Sequence, residues 1–326
     1  MVKRWLPWVL KGGLSAGLIW FVFSKVDMDS AWRQAKEIDL LMLAMSFGLM
    51  FAQILLGGVR WDFVLKALDA PIRFTRALAI FYISIFFSLV LPGAVGGDAV
   101  RMWKARREGL SLAVSINSVM LERLVTVFAL VLLVAVTQPI LLARVPDLPG
   151  SWVFPVLTLA GLFGTALLTQ LDRLPQSMFR WRAVRGLAQL AADTRRLLYN
   201  PRFGLPTLVV ALIGHANLSF AVYVLARGLD IDVDVVDCLV LVPPVILIMT
   251  LPISIAGWGL RETAIVTAFG FVGVENHAAF VLSVIFGLVT MASALPGGVV
   301  WLLSGDTLKR DEIEATEQEA EKTMAS

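Results

Sequence analysis

Leu91-Pro92-Gly93-Ala94-Val95-Gly96-Gly97-Asp98-Ala99-Val100-Arg101 breaks an apolar run with one proline and three glycines, and charge follows at once. Pro92 lacks a backbone donor, and Gly93, Gly96 and Gly97 tolerate conformations closed to other residues, so the apolar helix arriving from Ala77 must stop here. Inside a bilayer such a break survives only where the freed backbone is covered by protein or lines a wet cavity. The stretch is therefore a candidate for the tip of a re-entrant hairpin.

Working outward, the pattern returns as Leu251-Pro252-Ile253-Ser254-Ile255-Ala256-Gly257-Trp258-Gly259-Leu260-Arg261-Glu262. Superposing the two prolines places Leu91 on Leu251, Gly97 on Gly257 and Arg101 on Arg261 without a gap. Paired Pro/Gly interruptions at corresponding places in two halves of a membrane protein point to a transporter's substrate site. The competing explanation is coincidence, since Leu, Pro and Gly are common in such chains.

The surrounding composition is that of an integral membrane protein: 58% hydrophobic, 16% charged, with a mean hydropathy of +0.80. The single cysteine, Cys238, has no partner for an internal disulfide. Runs of spanning length cover about 5–23, 40–59, 110–136, 152–170, 206–226 and 278–303, giving six expected transmembrane helices. Two shorter runs, 77–91 and 238–251, end at the Pro/Gly breaks. Lys3 and Arg4 before the first run resemble a signal peptide, but Lys11 interrupts it and no clear cleavage site follows, so a retained span is expected. Gly13 and Gly17 have helix-packing spacing. Residues 306–326 are expected to form a flexible charged tail.

Charge in the short loops sets the orientation. Arg60, Lys66, Arg73 and Arg76 precede the first short run, and Arg101, Lys104, Arg106 and Arg107 follow it, so both flanks read as cytoplasmic. A segment with both ends on one side does not cross. The connection 171–205 carries seven arginines and reads as cytoplasmic too. The 137–150 loop has only Arg144, and 227–237 has one Arg against four Asp, so these read as outside. The second short run is then entered from the outer face. The expected architecture is an all-α membrane protein of six transmembrane helices plus two re-entrant hairpins in an inverted-topology repeat, with halves of about 1–145 and 146–305 and a cytoplasmic tail 306–326. Eight ordinary transmembrane helices are the alternative. The N- and C-termini are both expected in the cytoplasm.

Two amphipathic segments belong to the interface. Trp181, Val184, Leu187, Ala188, Ala191 and Leu198 share one helical face while Arg182, Arg185, Gln189 and Arg196 fall opposite. Residues 29–38 suggest a shorter interfacial helix on the outer side.

Glu122 and Arg123 lie inside the 110–136 run, where a charge costs roughly 2.5–3.5 kcal/mol at a helix centre. Neighbouring positions point about 100° apart, so each needs its own partner. Asp98, Arg101, Arg261 and Glu262 are the natural candidates. They could form a structural ion-pair network, a substrate site, or both at once. Guanidinium forks at Arg101, Arg123 and Arg261 match phosphate oxygens, and helices starting after Gly-rich breaks offer backbone N–H groups to the same anion. In a chain this apolar, that anion is most simply a lipid headgroup. Asn117, about one turn from Glu122, reads as interhelical glue beside the site. His215 could relay protons, though a hydrogen-bonded structural role is the plainer reading. The Asp230-Ile231-Asp232-Val233-Asp234 run could hold a divalent metal, yet topology alone predicts an acidic outer loop. No motif calls for a cofactor, a resident metal or nucleic acid.

The run 91–101, then Val119-Met120-Leu121-Glu122-Arg123-Leu124, then 251–262 together resemble the flippase-like transmembrane family related to the membrane region of bacterial lysylphosphatidylglycerol synthase. The resemblance extends over about 5–304, and Pro-Gly…Gly-Gly-Asp-x-x-Arg is its most specific block. It implies movement of an anionic phospholipid or a polyprenyl-phosphate-linked lipid between leaflets of the bacterial inner membrane. Bifunctional members add a soluble aminoacyl-transfer domain; the present sequence stops at Ser326, so the resemblance implies translocation without lysyl-lipid synthesis. Trp258 stands where relatives often have Gly. An enzyme of lipid-linked glycan or phospholipid metabolism, with Glu122 and Glu262 or the acidic loop as reactive groups, and a structural partner in envelope assembly are the rival readings.

Overall fold

The computed structural model describes residues 28–90, 96–146, 152–170, 182–250 and 259–304. The expected first span, the tip residues Pro92, Gly93, Pro252 and Gly257, Trp181, Trp258 and the tail lie outside the described residues. Within them the chain is all helix: α1 (Met28–Lys36), α2 (Leu40–Ala67), α3 (Phe74–Val90), α4 (Gly96–Arg107), α5 (Leu112–Arg144), α6 (Val153–Leu168), α7 (Arg182–Leu198), α8 (Gly204–Gly228), α9 (Val235–Met249), α10 (Leu260–Gly270), α11 (Asn276–Ala294) and α12 (Pro296–Leu303).

Among the described residues four helical segments are long and apolar enough to cross a membrane: Leu40–Ala67, Leu112–Arg144, Gly204–Gly228 and Asn276–Leu303. The last joins α11 to α12 through Leu295, which keeps helical dihedrals, with Pro296 in the first turn of α12 where its missing N–H does no harm. Both α2 and α5 run past the ends read from hydropathy. The apolar window for α2 closes at Val59, yet the helix continues to Ala67, because Arg60 and Asp62 are buried and ion-paired rather than solvated. α2 begins at an Asp39 N-cap that accepts from Leu41 and Met42, and α5 at a Ser111 cap that accepts from Val114.

The short helices are too short to cross alone. At 1.5 Å per residue, α3 is about 26 Å long, α4 about 18 Å, α9 about 22 Å and α10 about 16 Å, against a hydrocarbon core of about 30 Å; α6, in the run expected to span at 152–170, has 16 residues and is about 24 Å long. α3 and α4 pack on each other. Gly97 makes the approach possible: a Cβ there would overlap the Ser84 carbonyl and the Ser88 hydroxyl. Ile72, just before α3, shares one apolar cluster with Ala105 near the end of α4 and with Leu110 beyond it. α9 and α10 pack on each other as well.

Packing in the first part of the chain has a counterpart in the second. α2 lies on α3 as α8 lies on α9; α4 lies on α5 as α10 lies on α11; α3 rests on α12 as α9 rests on α5. α2 and α8 pack along each other. Lipid tails are as apolar as leucine, so this seam needs close packing and polar contacts rather than a hydrophobic drive. Gly214 lies beside the side chains of Gln53 and Arg60, and Asn217 provides polarity, donating to the Leu49 carbonyl at 2.9 Å and to Gln53 at 3.1 Å.

The loops sort by charge. Asp69, after α2, pairs with Arg196 of α7, bringing together two segments expected to be cytoplasmic. Arg144 at the end of α5 pairs with Asp234 and Asp237 at the start of α9, joining two segments expected outside. α1 is held at that second end by Gln34, which donates to the Leu229 carbonyl at 2.9 Å.

Candidate functional site

Charged groups converge where α2, α4 and α5 meet. Glu122 is 4% exposed and accepts from two arginines. Arg60 Nε donates to its Oε1 at 2.6 Å, and Arg101 Nη2 donates to its Oε2 at 3.1 Å. Arg101 is 2% exposed; its guanidinium also reaches Asp98 at 3.2 Å and lies over the rings of Trp61 and Phe81, at 5.4 and 5.3 Å. Asp98 in turn accepts from Arg123. The chain of contacts runs Arg60, Glu122, Arg101, Asp98, Arg123.

Three guanidinium groups against two carboxylates leave this chain with one net positive charge. The outer member carries the access: the Arg123 side chain is 52% exposed, whereas those of Arg60, Arg101, Asp98 and Glu122 are 9% or less. In a low-dielectric setting the buried pairs are held by mutual need, since removing one partner strands the other. Arg60 is the member that reading the sequence did not place here. Its signal was faint: Gln53 and Arg60 are two helical turns apart, and both sit beside Gly214.

Arg261 and Glu262, expected in the same constellation, make a pair of their own on α10. Arg261 Nη2 donates to Glu262 Oε1 at 2.5 Å, while Glu262 Oε2 accepts the Gly259 N–H at 2.6 Å. Gly259 has φ +81°, which suits glycine at this helix entry. The Arg261 guanidinium packs directly on Gly287 of α11. Asp98 occupies the first turn of α4 as Glu262 does that of α10, so each short helix carries its own carboxylate at the positive end of its dipole. The Gly259 donor expected to face an incoming anion is thus already taken. Gly96 and Gly97 form the start of α4.

Asn117 donates to Asp193 at 2.5 Å and ties α7 to α5. Asp193 is buried, so the inward face of α7 is partly polar, while Leu187 and Leu198 stay exposed. His215, also buried, donates from Nε2 to the Thr126 carbonyl at 3.0 Å. In the acidic segment, Asp234 caps α9 by accepting the Asp237 N–H at 2.7 Å; that hydrogen bond, with Arg144 beside it, holds the Asp234 carboxyl below the usual range. Its role there is a helix cap and ion pair.

No curated protein matches the chain. Residues 8–298 match the family described as Lysylphosphatidylglycerol synthase TM region. With four apolar segments of spanning length and a family match over most of its residues, the chain is a multi-pass membrane protein and belongs to the lysylphosphatidylglycerol synthase TM region family.

Proposed function

We propose that the protein translocates an anionic phospholipid, or a lipid-linked phosphate, between the leaflets of a bacterial inner membrane. The observation that carries this reading is the buried Arg60-Glu122-Arg101-Asp98-Arg123 chain, net positive and open only at Arg123. Asp98 holds Arg123 in the resting state. An arriving phosphate competes for that guanidinium with two or three oxygens where Asp98 offers two, and Asp98 keeps Arg101 as its remaining partner. Arg60, Glu122 and Arg101 anchor α4 to α2 and α5. The Arg261–Glu262 pair holds α10 in the matching place.

In this reading α3/α4 and α9/α10 are re-entrant hairpins of an inverted repeat, with six transmembrane helices around them. The paired packing of the two parts, the apolar cluster that Ile72 shares with Ala105 and Leu110, and the charges of the loops support it. Cytoplasmic termini follow from the same orientation. The lipid tails remain in the bilayer while the headgroup passes the cationic chain.

The test is reconstitution of the purified protein into vesicles containing phosphatidylglycerol with a fluorescent headgroup, read by a membrane-impermeant quencher. The protein accelerates loss of the protected signal. Arg123→Ala slows it about tenfold, the loss of one charge-assisted hydrogen bond partly screened by exposure. Arg73→Ala, at an exposed arginine just before α3, leaves the rate unchanged. Acceleration no greater than in protein-free vesicles would sink the proposal.

A further inference from the structure

A second place on the molecule has the make-up of a headgroup site. Between the end of α2 and the start of α8 lies an open groove of about 660 Å³, lined by Phe63, Lys66, Asp69, Pro71, Arg202 and Phe203. It is at the end of the molecule that carries Asp69, Arg196 and the 68–73 turn, the end rich in Lys and Arg. Phe63 and Lys66 are three residues apart on α2 and face the groove together. Phe203 packs against the apolar cluster that includes Leu68 of the α2–α3 turn and Leu197 of α7.

The cations in this groove are positioned rather than loose. Lys66 is held by Asp62 at 2.6 Å but keeps 43% of its side chain exposed. Arg202 lies over the Phe203 ring, its guanidinium carbon 5.6 Å from the ring centre, and its backbone N–H donates to Asn200 at 3.1 Å. Asp69, the one acid in the lining, is engaged by Arg196. Counting those partners, Lys66, Arg196 and Arg202 face Asp62 and Asp69, so the rim carries one net positive charge. The walls below it are aromatic. A basic rim over an apolar wall at the cytoplasmic headgroup level is the arrangement that retains an anionic lipid.

We propose that this groove is a binding site for the phosphate headgroup of an anionic phospholipid of the cytoplasmic leaflet, separate from the Arg123 chain. Lys66 and Arg202 take the phosphate oxygens, and Phe63 and Phe203 contact the glycerol and upper acyl region. A lipid seated there touches both the α2–α3 turn and the α7–α8 turn, and so ties the two parts of the chain at their inner end. The site stands whether or not the protein moves lipid.

The experiment uses the full-length protein in nanodiscs of phosphatidylcholine with increasing phosphatidylglycerol, following thermal stability to obtain an apparent affinity. Phosphatidylglycerol raises the midpoint, and added salt weakens the effect. Lys66→Gln with Arg202→Gln weakens the apparent affinity by roughly tenfold to thirtyfold, from two surface cations. Arg202→Gln alone, which leaves Lys66–Asp62 and Arg196–Asp69 intact, weakens it roughly fivefold and covers the case in which the double variant folds poorly. Arg107→Gln, at an exposed basic position at the end of α4, leaves it unchanged. An affinity unaltered in Arg202→Gln, or lowered equally in Arg107→Gln, overturns the site. A full midpoint shift from inorganic phosphate in pure phosphatidylcholine overturns the lipid assignment. Loss of translocation in Arg123→Ala with this affinity intact separates the two sites.

Discussion

Glu122 accepts from two guanidinium groups, and this separates it from Arg123, its neighbour in sequence. Glu122→Gln weakens both bonds at once in a buried setting, and the expected loss of stability is about 3–5 kcal/mol, the range for breaking a buried pair. Arg123→Ala removes a half-exposed partner of Asp98 and costs about 1 kcal/mol or less. Unfolding of the two variants in the same detergent measures the difference; equal losses would mean that Arg123 is as structural as Glu122. The two residues stood out in the sequence because charge inside an apolar run has few explanations. Arg60 did not, because it follows the last residue of such a run, and what buries it is a carboxylate 62 positions away. Pattern along a chain shows that a charge needs a partner, and only the packed helices show which.

At the scale of the element, the short apolar runs were legible and the ends of the long helices were not. The runs read at 77–91 and 238–251 recur as α3 and α9. α2 and α5 run on past their apolar windows because Arg60 and Arg144 find partners on other elements and Asp62 pairs with Lys66 within α2. The close packing of α3 on α4 depends on Gly97, whose missing side chain admits the Ser84 carbonyl. Gly97→Ala forces that contact apart and destabilises by about 1–3 kcal/mol. Gly164→Ala, in α6, meets nothing within 4 Å and is expected to be neutral or to stabilise by up to about 1 kcal/mol. Thermal midpoints of the two variants check the contrast, and a harmless Gly97→Ala would show that α3 and α4 are not held in this contact.

For the whole molecule, apolar runs and loop charges were enough to reach a multi-pass helical protein with two short helical pairs. The way α2 packs on α8 was not legible, since Asn217 acts across helices far apart in sequence. The remaining question of scale is whether each short pair returns to the side it came from. Everything proposed for Arg123 depends on this, because a crossing α3/α4 would place the charged chain beside one surface instead of between two. Single cysteines at Arg73 and Glu108 flank the first pair, and at Asp232 and Glu275 the second; all four positions are exposed, while the native Cys238 is buried. Labelling by a membrane-impermeant maleimide on sealed vesicles of known orientation is predicted to find Arg73→Cys and Glu108→Cys together on the inner face, and Asp232→Cys and Glu275→Cys together on the outer face. Labelling of Arg73→Cys and Glu108→Cys from opposite faces would contradict the account.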